Sequence, residues 1–209
     1  MKIIIPARKG SKGFPLKNRK LFKYTADIIP DVYKHLTYVV TDDEVISKES
    51  LKYGFNTIDR APEVSLDVTS TKATIQYAID EIGIENEDVI VLYLTYPERN
   101  WEHIDRAYLM FRLNRNQSSL LCKKKIDTSP FLMLKQEKGN KGSQLFYHDL
   151  YRRQDYPTCF EISHYVCIFN SNRINNLNNN MYNNDTVYYD IDNVIDVDEK
   201  KDLDRFEAG

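Results

Sequence analysis

Four cations fall within ten residues near the start of the chain, at Arg8, Lys9, Lys12 and Lys17, interleaved with Gly10, Ser11 and Gly13. Glycines let a backbone approach an anion closely and turn its N–H groups inward. Arg and Lys neutralise charge that backbone amides only partly balance. These types at this spacing suit phosphate, although a solvated basic turn has the same composition. Position favours phosphate. The loop follows Lys2–Ile5, a short apolar run ended by Pro6, which reads as a buried strand running into a turn-rich segment. The C-terminal end of such a strand is where open α/β sheets bind ligands. The loop is not a P-loop, because that motif started at Gly10 requires glycine where Pro15 stands. Nor do Gly10 and Gly13 fit the G-x-G-x-x-G dinucleotide fingerprint.

A second group of chemical interest lies near the other end. Asp196 and Asp198 fall at the end of the strand-like stretch Val187–Val197. Residues i and i+2 of a strand point to one face, so both carboxylates can reach one cation. Hard oxygen ligands suit magnesium, which keeps most of its waters and bridges phosphates. Asp190, Asp192 and Asp204 read as solvated charge.

The elements that must position these groups alternate. Thr37–Thr41 predicts a strand, about 43–53 a helix stopped by Gly54, and Phe55–Ile58 a weak strand. A second helix lies within Asp67–Gly83, where Ile75, Ala78, Ile79 and Ile82 share one face. Val89–Leu94 is the strongest strand. A third helix follows Pro97, with Trp101, Ile104, Tyr108 and Phe111 on one face, and Ser118–Cys122 is again a strand. This order predicts an α/β fold with a parallel sheet and helices on both faces. Lys123–Asp155 breaks the pattern and reads as an excursion from the sheet. Tyr165–Phe169 and Val187–Val197 return to strand character, and Glu199–Phe206 reads as a closing helix. Asn175–Asn184, with seven asparagines, reads as a surface loop without chemistry.

Composition limits the rest. A chain of 209 residues with 42% hydrophobic and 29% charged residues predicts one domain, 1–209, with a real core. A net charge of −2 gives no global pull toward nucleic acid or an anionic membrane. No apolar run approaches the roughly 20 residues of a membrane span, and the start lacks a signal-peptide core. Cys122, Cys159 and Cys167 form no C-x-x-C pair and are odd in number, which fits core or near-core thiols in a reducing cytoplasm.

The loop Ile4-Ile5-Pro6-Ala7-Arg8-Lys9-Gly10-Ser11-Lys12-Gly13-Phe14-Pro15-Leu16-Lys17-Asn18 resembles the first strand and loop of the acylneuraminate cytidylyltransferases. Four further blocks follow in that family's order: Val40-Thr41-Asp42-Asp43, the stretch Asp59 to Thr71, Arg153-Gln154-Asp155-Tyr156-Pro157, and Ile195-Asp196-Val197-Asp198 with Asp202-Leu203. The resemblance implies a mixed, mainly parallel sheet of the nucleotide-diphospho-sugar transferase kind. It implies CMP transfer from CTP to a sugar hydroxyl with release of pyrophosphate. Arg8, Ser11, Lys12, Lys17 and Asn18 would build the CTP site, with Arg60, Thr69 and Thr71 near base and ribose. Arg8, Lys12 and Lys17 would hold the triphosphate through the reaction, and Asp196 and Asp198 would hold Mg2+. It also implies a homodimer in which residues 123–155 reach the partner's site, carrying Arg153 and Gln154.

Two stretches depart from the family. Its L-Q-P-T-S-P is Leu92-Tyr93-Leu94-Thr95-Tyr96-Pro97 here, and its R-x-N-G-A-I-Y-I is Glu161-Ile162-Ser163-His164-Tyr165-Val166-Cys167-Ile168. The chain is also shorter than the family between Phe22 and Val39, which predicts a short first helix. In the family these two stretches belong to the sugar side. Tyr93, Glu161 and Ser163 are therefore expected at the acceptor, with Glu161 opposing a substrate carboxylate. The CTP half is kept and the acceptor half rewritten, so the expected acceptor is not N-acetylneuraminic acid. Asp42 and His164 are the candidates for a general base. Two alternatives remain: a nucleotidyltransferase using another triphosphate or a non-sugar acceptor, and a nucleotide-binding homologue without catalysis.

Overall fold

The computed structural model describes residues 1–10, 13–61, 64, 69–114 and 116–208. Ser11, Lys12 and Asp67 of the sequence argument lie outside the described residues. The chain begins with β1 (Lys2–Ala7), α1 (Lys17–Asp27), a single helical turn α2 (Asp31–Lys34) and β2 (Thr37–Thr41). β1 runs through Pro6 at no cost in ladder bonds. Ile3 donates its N–H toward the β2 side, so the N–H that Pro6 lacks would face the other neighbour, where pairing has ended at Ile4.

α3 (Glu44–Lys52) starts where the Asp43 carboxylate accepts from the Val45 N–H, and Gly54, at φ +80, turns the chain into β3 (Asn56–Asp59). α4 (Thr71–Ile82) is capped by Ser70 and closed by Gly83. β4 (Asp88–Val91) leads to α5 (Trp101–Leu113), capped by Asn100. β5 covers Ser119–Lys125, and a separate hairpin of β6 (Leu134–Gln136) and β7 (Gly142–Gln144) follows. β8 (Phe160–Asn170), β9 (Thr186–Asp190) and α6 (Lys200–Ala208) complete the order.

The main sheet has the order β3-β2-β1-β4-β8-β5-β9. β8 is antiparallel to β4 and β5, and every other pairing is parallel, so the sheet is mixed and mainly parallel. Its central strands β1, β2 and β4 are buried on both faces, which is why they read as apolar runs. On one face Ile3, Ile5, Val39 and Ile90 pack with Phe22 of α1, Ile46 of α3, Ile104 of α5 and Leu203 of α6. On the other, Ile4, Val40, Val89 and Val91 pack with Ile75 and Ile79 of α4 and with Ile174.

Three expected boundaries are corrected. β4 ends at Val91, not Leu94, because the Tyr93 carbonyl is taken by the buried Arg99 guanidinium at 2.6 Å. The excursion starts later than residue 123, since Lys123–Lys125 still pair with β8. β9 stops at Asp190, so Asp196 and Asp198 are not on a strand.

Candidate functional site

The chain runs outward from β1 to β2 and β3, then returns to β4 on the other side of β1. The segments leaving β1 and β4 therefore diverge, and a crevice opens at the C-terminal ends of these strands. Two cavities of about 280 and 260 Å3 occupy it. Thr71, Tyr93 and Thr95 line both, so they are lobes of one cleft.

The first lobe gathers Arg8, Asn18, Arg60, Thr69 and Thr71, five of the residues expected at nucleotide. The Asn18 side-chain amide donates to the Arg8 carbonyl at 2.8 Å, fixing the loop on the start of α1. The Arg60 Nε donates to the Val64 carbonyl at 2.6 Å, and a terminal nitrogen donates to the Thr74 hydroxyl at 2.9 Å. Burial pushes the Arg60 pKa down, opposed by the charge of Asp42 and assisted by that of Arg8. Arg60 is thus a partly desolvated cation of fixed orientation, suited to a planar or anionic ligand. Asp42 accepts from the Lys9 N–H at 2.6 Å and so holds the loop against β2.

Lys17 is placed differently from its expected role. Its ammonium donates to the Val197 carbonyl at 2.9 Å and to the Asp198 carboxylate at 3.1 Å, and it lines neither lobe. It ties the start of α1 to the C-terminal acids.

The second lobe holds Asp196 and Asp198 together with Tyr96, His164, Asn179 and Asn180. The two acids share this wall without a strand. Val197 between them is fully buried and donates its N–H to Thr95 at 2.8 Å, while Ile195 donates to the Glu98 carboxylate at 2.7 Å. Backbone pinned in this way keeps the alternation of side chains that a ladder would impose. The Tyr96 hydroxyl accepts from the His164 N–H at 3.2 Å and from the Ser163 hydroxyl at 3.4 Å. Burial raises its pKa, and the charge of Asp196 adds to the rise. The Tyr93 hydroxyl is also raised, first by burial.

β8 is irregular at this point. Leu120 pairs with Ile168 and Cys122 with Ser163, so β8 takes five steps where β5 takes two. Such a bulge re-aims side chains, and here it brings His164 into the lobe, edge-on to the Tyr93 ring at 5.3 Å.

The expected acceptor residues are partly redistributed. Tyr93 lines the cleft. Glu161 does not: it sits opposite Lys124 on the neighbouring strand, 3.3 Å from its ammonium, and its charge is answered there. Ser163 is buried beneath Tyr96 and reaches the cleft only through that hydroxyl. Arg153 and Gln154 form an exposed turn on the excursion and do not line the cleft of their own chain.

Sequence reasoning missed three features. The asparagine-rich loop is not a bystander, because Asn179 and Asn180 wall the second lobe and the Asn180 carbonyl meets the His164 ring at 3.0 Å. Lys72 of α4 holds this loop through the Leu177 carbonyl at 2.6 Å. Thr95 and the buried Arg99 were also missed; an arginine in the turn between Pro97 and Asn100 carries no periodic signal of burial.

Among the described residues no group of three or more His, Cys, Asp or Glu side chains is arranged to hold a metal. The second lobe offers two oxygen-donor carboxylates, a set that fits a largely hydrated magnesium shared with substrate phosphate.

The architecture is a cytidylyltransferase fold. It superposes on a CMP:2-keto-3-deoxy-manno-octonic acid synthetase complexed with CTP with a TM-score of 0.69, at 14% identity, covering 99% of this chain and 96% of that one. A 4-diphosphocytidyl-2C-methyl-D-erythritol synthase from Anaerococcus prevotii superposes at 0.66 with 12% identity, covering 100% and 95%. In sequence the chain is similar to an N-acylneuraminate cytidylyltransferase of Streptococcus agalactiae, 26% identical over 162 residues. It is 32% identical over 126 residues to the pseudaminic acid cytidylyltransferase of Campylobacter jejuni. These matches cover 73% and 54% of this chain, and 39% and 54% of the relatives' own lengths. No family model matches the chain. No helix among the described residues is long and apolar enough to cross a membrane.

Proposed function

We propose that this chain is a cytidylyltransferase that moves CMP from CTP onto a sugar hydroxyl and releases pyrophosphate. The observation that carries the reading is the two-lobed cleft, with Arg8 and Arg60 in one lobe, Asp196 and Asp198 in the other, and Thr71, Tyr93 and Thr95 common to both. The acceptor oxygen attacks the α-phosphorus in line, and the bond from that phosphorus to the pyrophosphate oxygen breaks. The protein's part is to position the reactants and neutralise charge. Arg8, Arg60, Thr69 and Thr71 bind the nucleotide, and Asn18 keeps the loop in place. Asp196 and Asp198 would hold Mg2+, which supplies neutralisation of phosphate oxygens when bound.

The acceptor proposed is a sugar less acidic than N-acetylneuraminic acid, because no Lys or Arg among the described residues lines the second lobe. Arg153 and Gln154 serve a partner's cleft in a homodimer. The exposed Leu134, Phe146, Tyr147 and Tyr151 of the excursion are the apolar surface a second copy would cover. The reading places the reaction in the cytoplasm, where the three free thiols stay reduced.

The test is pyrophosphate release from CTP and Mg2+ with N-acetylneuraminic acid, pseudaminic acid and a set of neutral sugars. Release that requires both CTP and one of these sugars supports the assignment. Binding of CTP without release for any sugar makes the chain a nucleotide-binding protein instead, and equal use of ATP or UTP removes the base assignment.

A further inference from the structure

We propose that His164 takes the proton from the attacking hydroxyl of the acceptor. This inference rests on the transfer reading above, which leaves the proton acceptor unassigned. The bulge of β8 brings His164 into the same lobe as Asp196 and Asp198. Its Nε2 lies 3.0 Å from the Asn180 carbonyl. A carbonyl can only accept, so Nε2 carries the hydrogen, and in the neutral ring the lone pair is on Nδ1. Among the described residues Nδ1 has no hydrogen-bond partner.

The other bases near the cleft are committed. Asp198 accepts from Lys17 at 3.1 Å, and Asp42, which lines neither lobe, accepts from the Lys9 N–H at 2.6 Å. Asp196 faces the Tyr96 hydroxyl. The Tyr93 and Tyr96 phenols are held protonated by burial. The groups facing His164 are therefore these two phenols, from the segment after β4, and the two carboxylates, from the segment before α6.

In the step, the acceptor O–H bond breaks and its proton passes to Nδ1. The oxygen forms the new bond to the α-phosphorus, the pyrophosphate oxygen takes the electron pair of the bond that breaks, and the imidazolium later returns its proton to water. Positioned bases of this kind contribute about 10²- to 10⁴-fold to rate. The departure from the family at this position, histidine for glycine, is on this view a gain of a catalytic group.

The experiment compares two variants with the unaltered protein for CMP transfer and for the rise in melting temperature on adding CTP alone. His164→Gln keeps a donor for the Asn180 carbonyl but has no basic nitrogen. Its kcat is expected to fall at least about 100-fold, with the CTP shift unchanged. In His164→Gly, added imidazole should restore kcat about tenfold or more, because a small base can replace the missing one in the lobe. A His164→Gln kcat within about threefold of normal overturns the inference, as does His164→Gly that keeps its CTP shift and ignores imidazole. Loss of the CTP shift in both variants makes His164 part of the scaffold and overturns it too. Failure of the transfer reading is distinct, since the unaltered protein would then transfer no CMP.

Discussion

The Arg99 guanidinium donates to the Tyr93 carbonyl at 2.6 Å and to the Tyr165 carbonyl at 2.7 Å, so one buried cation joins the segment after β4 to the bulge of β8. It lies between the Tyr96 and Tyr165 rings, 5.5 and 5.4 Å from their centroids, and reaches the Thr25 hydroxyl at 3.4 Å. Burial pushes its pKa down to about 10, which still leaves it charged at neutral pH. Tyr93 and Tyr96 on one side and His164 on the other are therefore tied through one residue. Arg99→Met would leave the buried Tyr165 carbonyl and the part-buried Tyr93 carbonyl without this donor, at about 1–3 kcal/mol each. Urea unfolding is expected to show a loss of about 2–6 kcal/mol, and a loss under about 1 kcal/mol would show that water satisfies those carbonyls.

Arg60 carries the prediction on nucleotide choice. CTP is expected to raise the melting temperature more than ATP or GTP, by mass action on the native state. Arg60→Met should weaken CTP binding by about 10- to 150-fold, the equivalent of one charge-assisted hydrogen bond of about 1.5–3 kcal/mol. Equal shifts for all triphosphates in the unaltered protein would show that the first lobe does not select the base.

Asp198 separates chemistry from stability. Its carboxylate is 79% exposed, and its pair with Lys17 is of a kind worth at most about 1 kcal/mol. Asp198→Asn should leave urea stability within about that margin while magnesium-dependent turnover falls by two orders of magnitude or so. Retained turnover would return the C-terminal acids to the status of solvated charge.

Acceptor choice is read as a ratio of kcat/KM for neutral sugars over N-acetylneuraminic acid, expected to exceed one. Because Glu161 pairs with Lys124 and not with the cleft, Glu161→Gln should leave that ratio unchanged. A ratio that moves several-fold in Glu161→Gln would put the carboxylate back at the acceptor.

Asp43 governs the acid limb of stability. Burial disfavours its ionised form, but the Arg19 side chain and the Val45 and Ile46 N–H groups outweigh burial and hold its pKa below the ordinary carboxylate value. A carboxylate depressed in the folded state stabilises fully above its unfolded pKa, and that stabilisation is lost as pH falls through the folded value. Asp43→Ala should lower stability at pH 7 by about 1–2 kcal/mol, the usual loss for a helix cap. It should also flatten the decline below pH 4 in a series of melting temperatures.

Much of this protein is legible without coordinates, for local reasons. Apolar runs buried on both faces announce β1, β2 and β4, the caps at Asp43, Ser70 and Asn100 mark helix starts, and Gly54 and Gly83 mark ends. Arg8, Asn18, Arg60, Thr69 and Thr71 converge because a parallel strand must deliver its following loop to the sheet's C-terminal edge. The acceptor lobe was decided elsewhere. The bulge that turns His164 inward shows only in the register of β8 against β5, a pairing between distant segments. The asparagine loop reaches the cleft because Lys72 and His164 hold its carbonyls, more than ten residues away in sequence. Glu161 leaves it because Lys124 stands across the ladder. Contacts between distant segments have no periodicity to read, so only the closed tertiary structure could place these three.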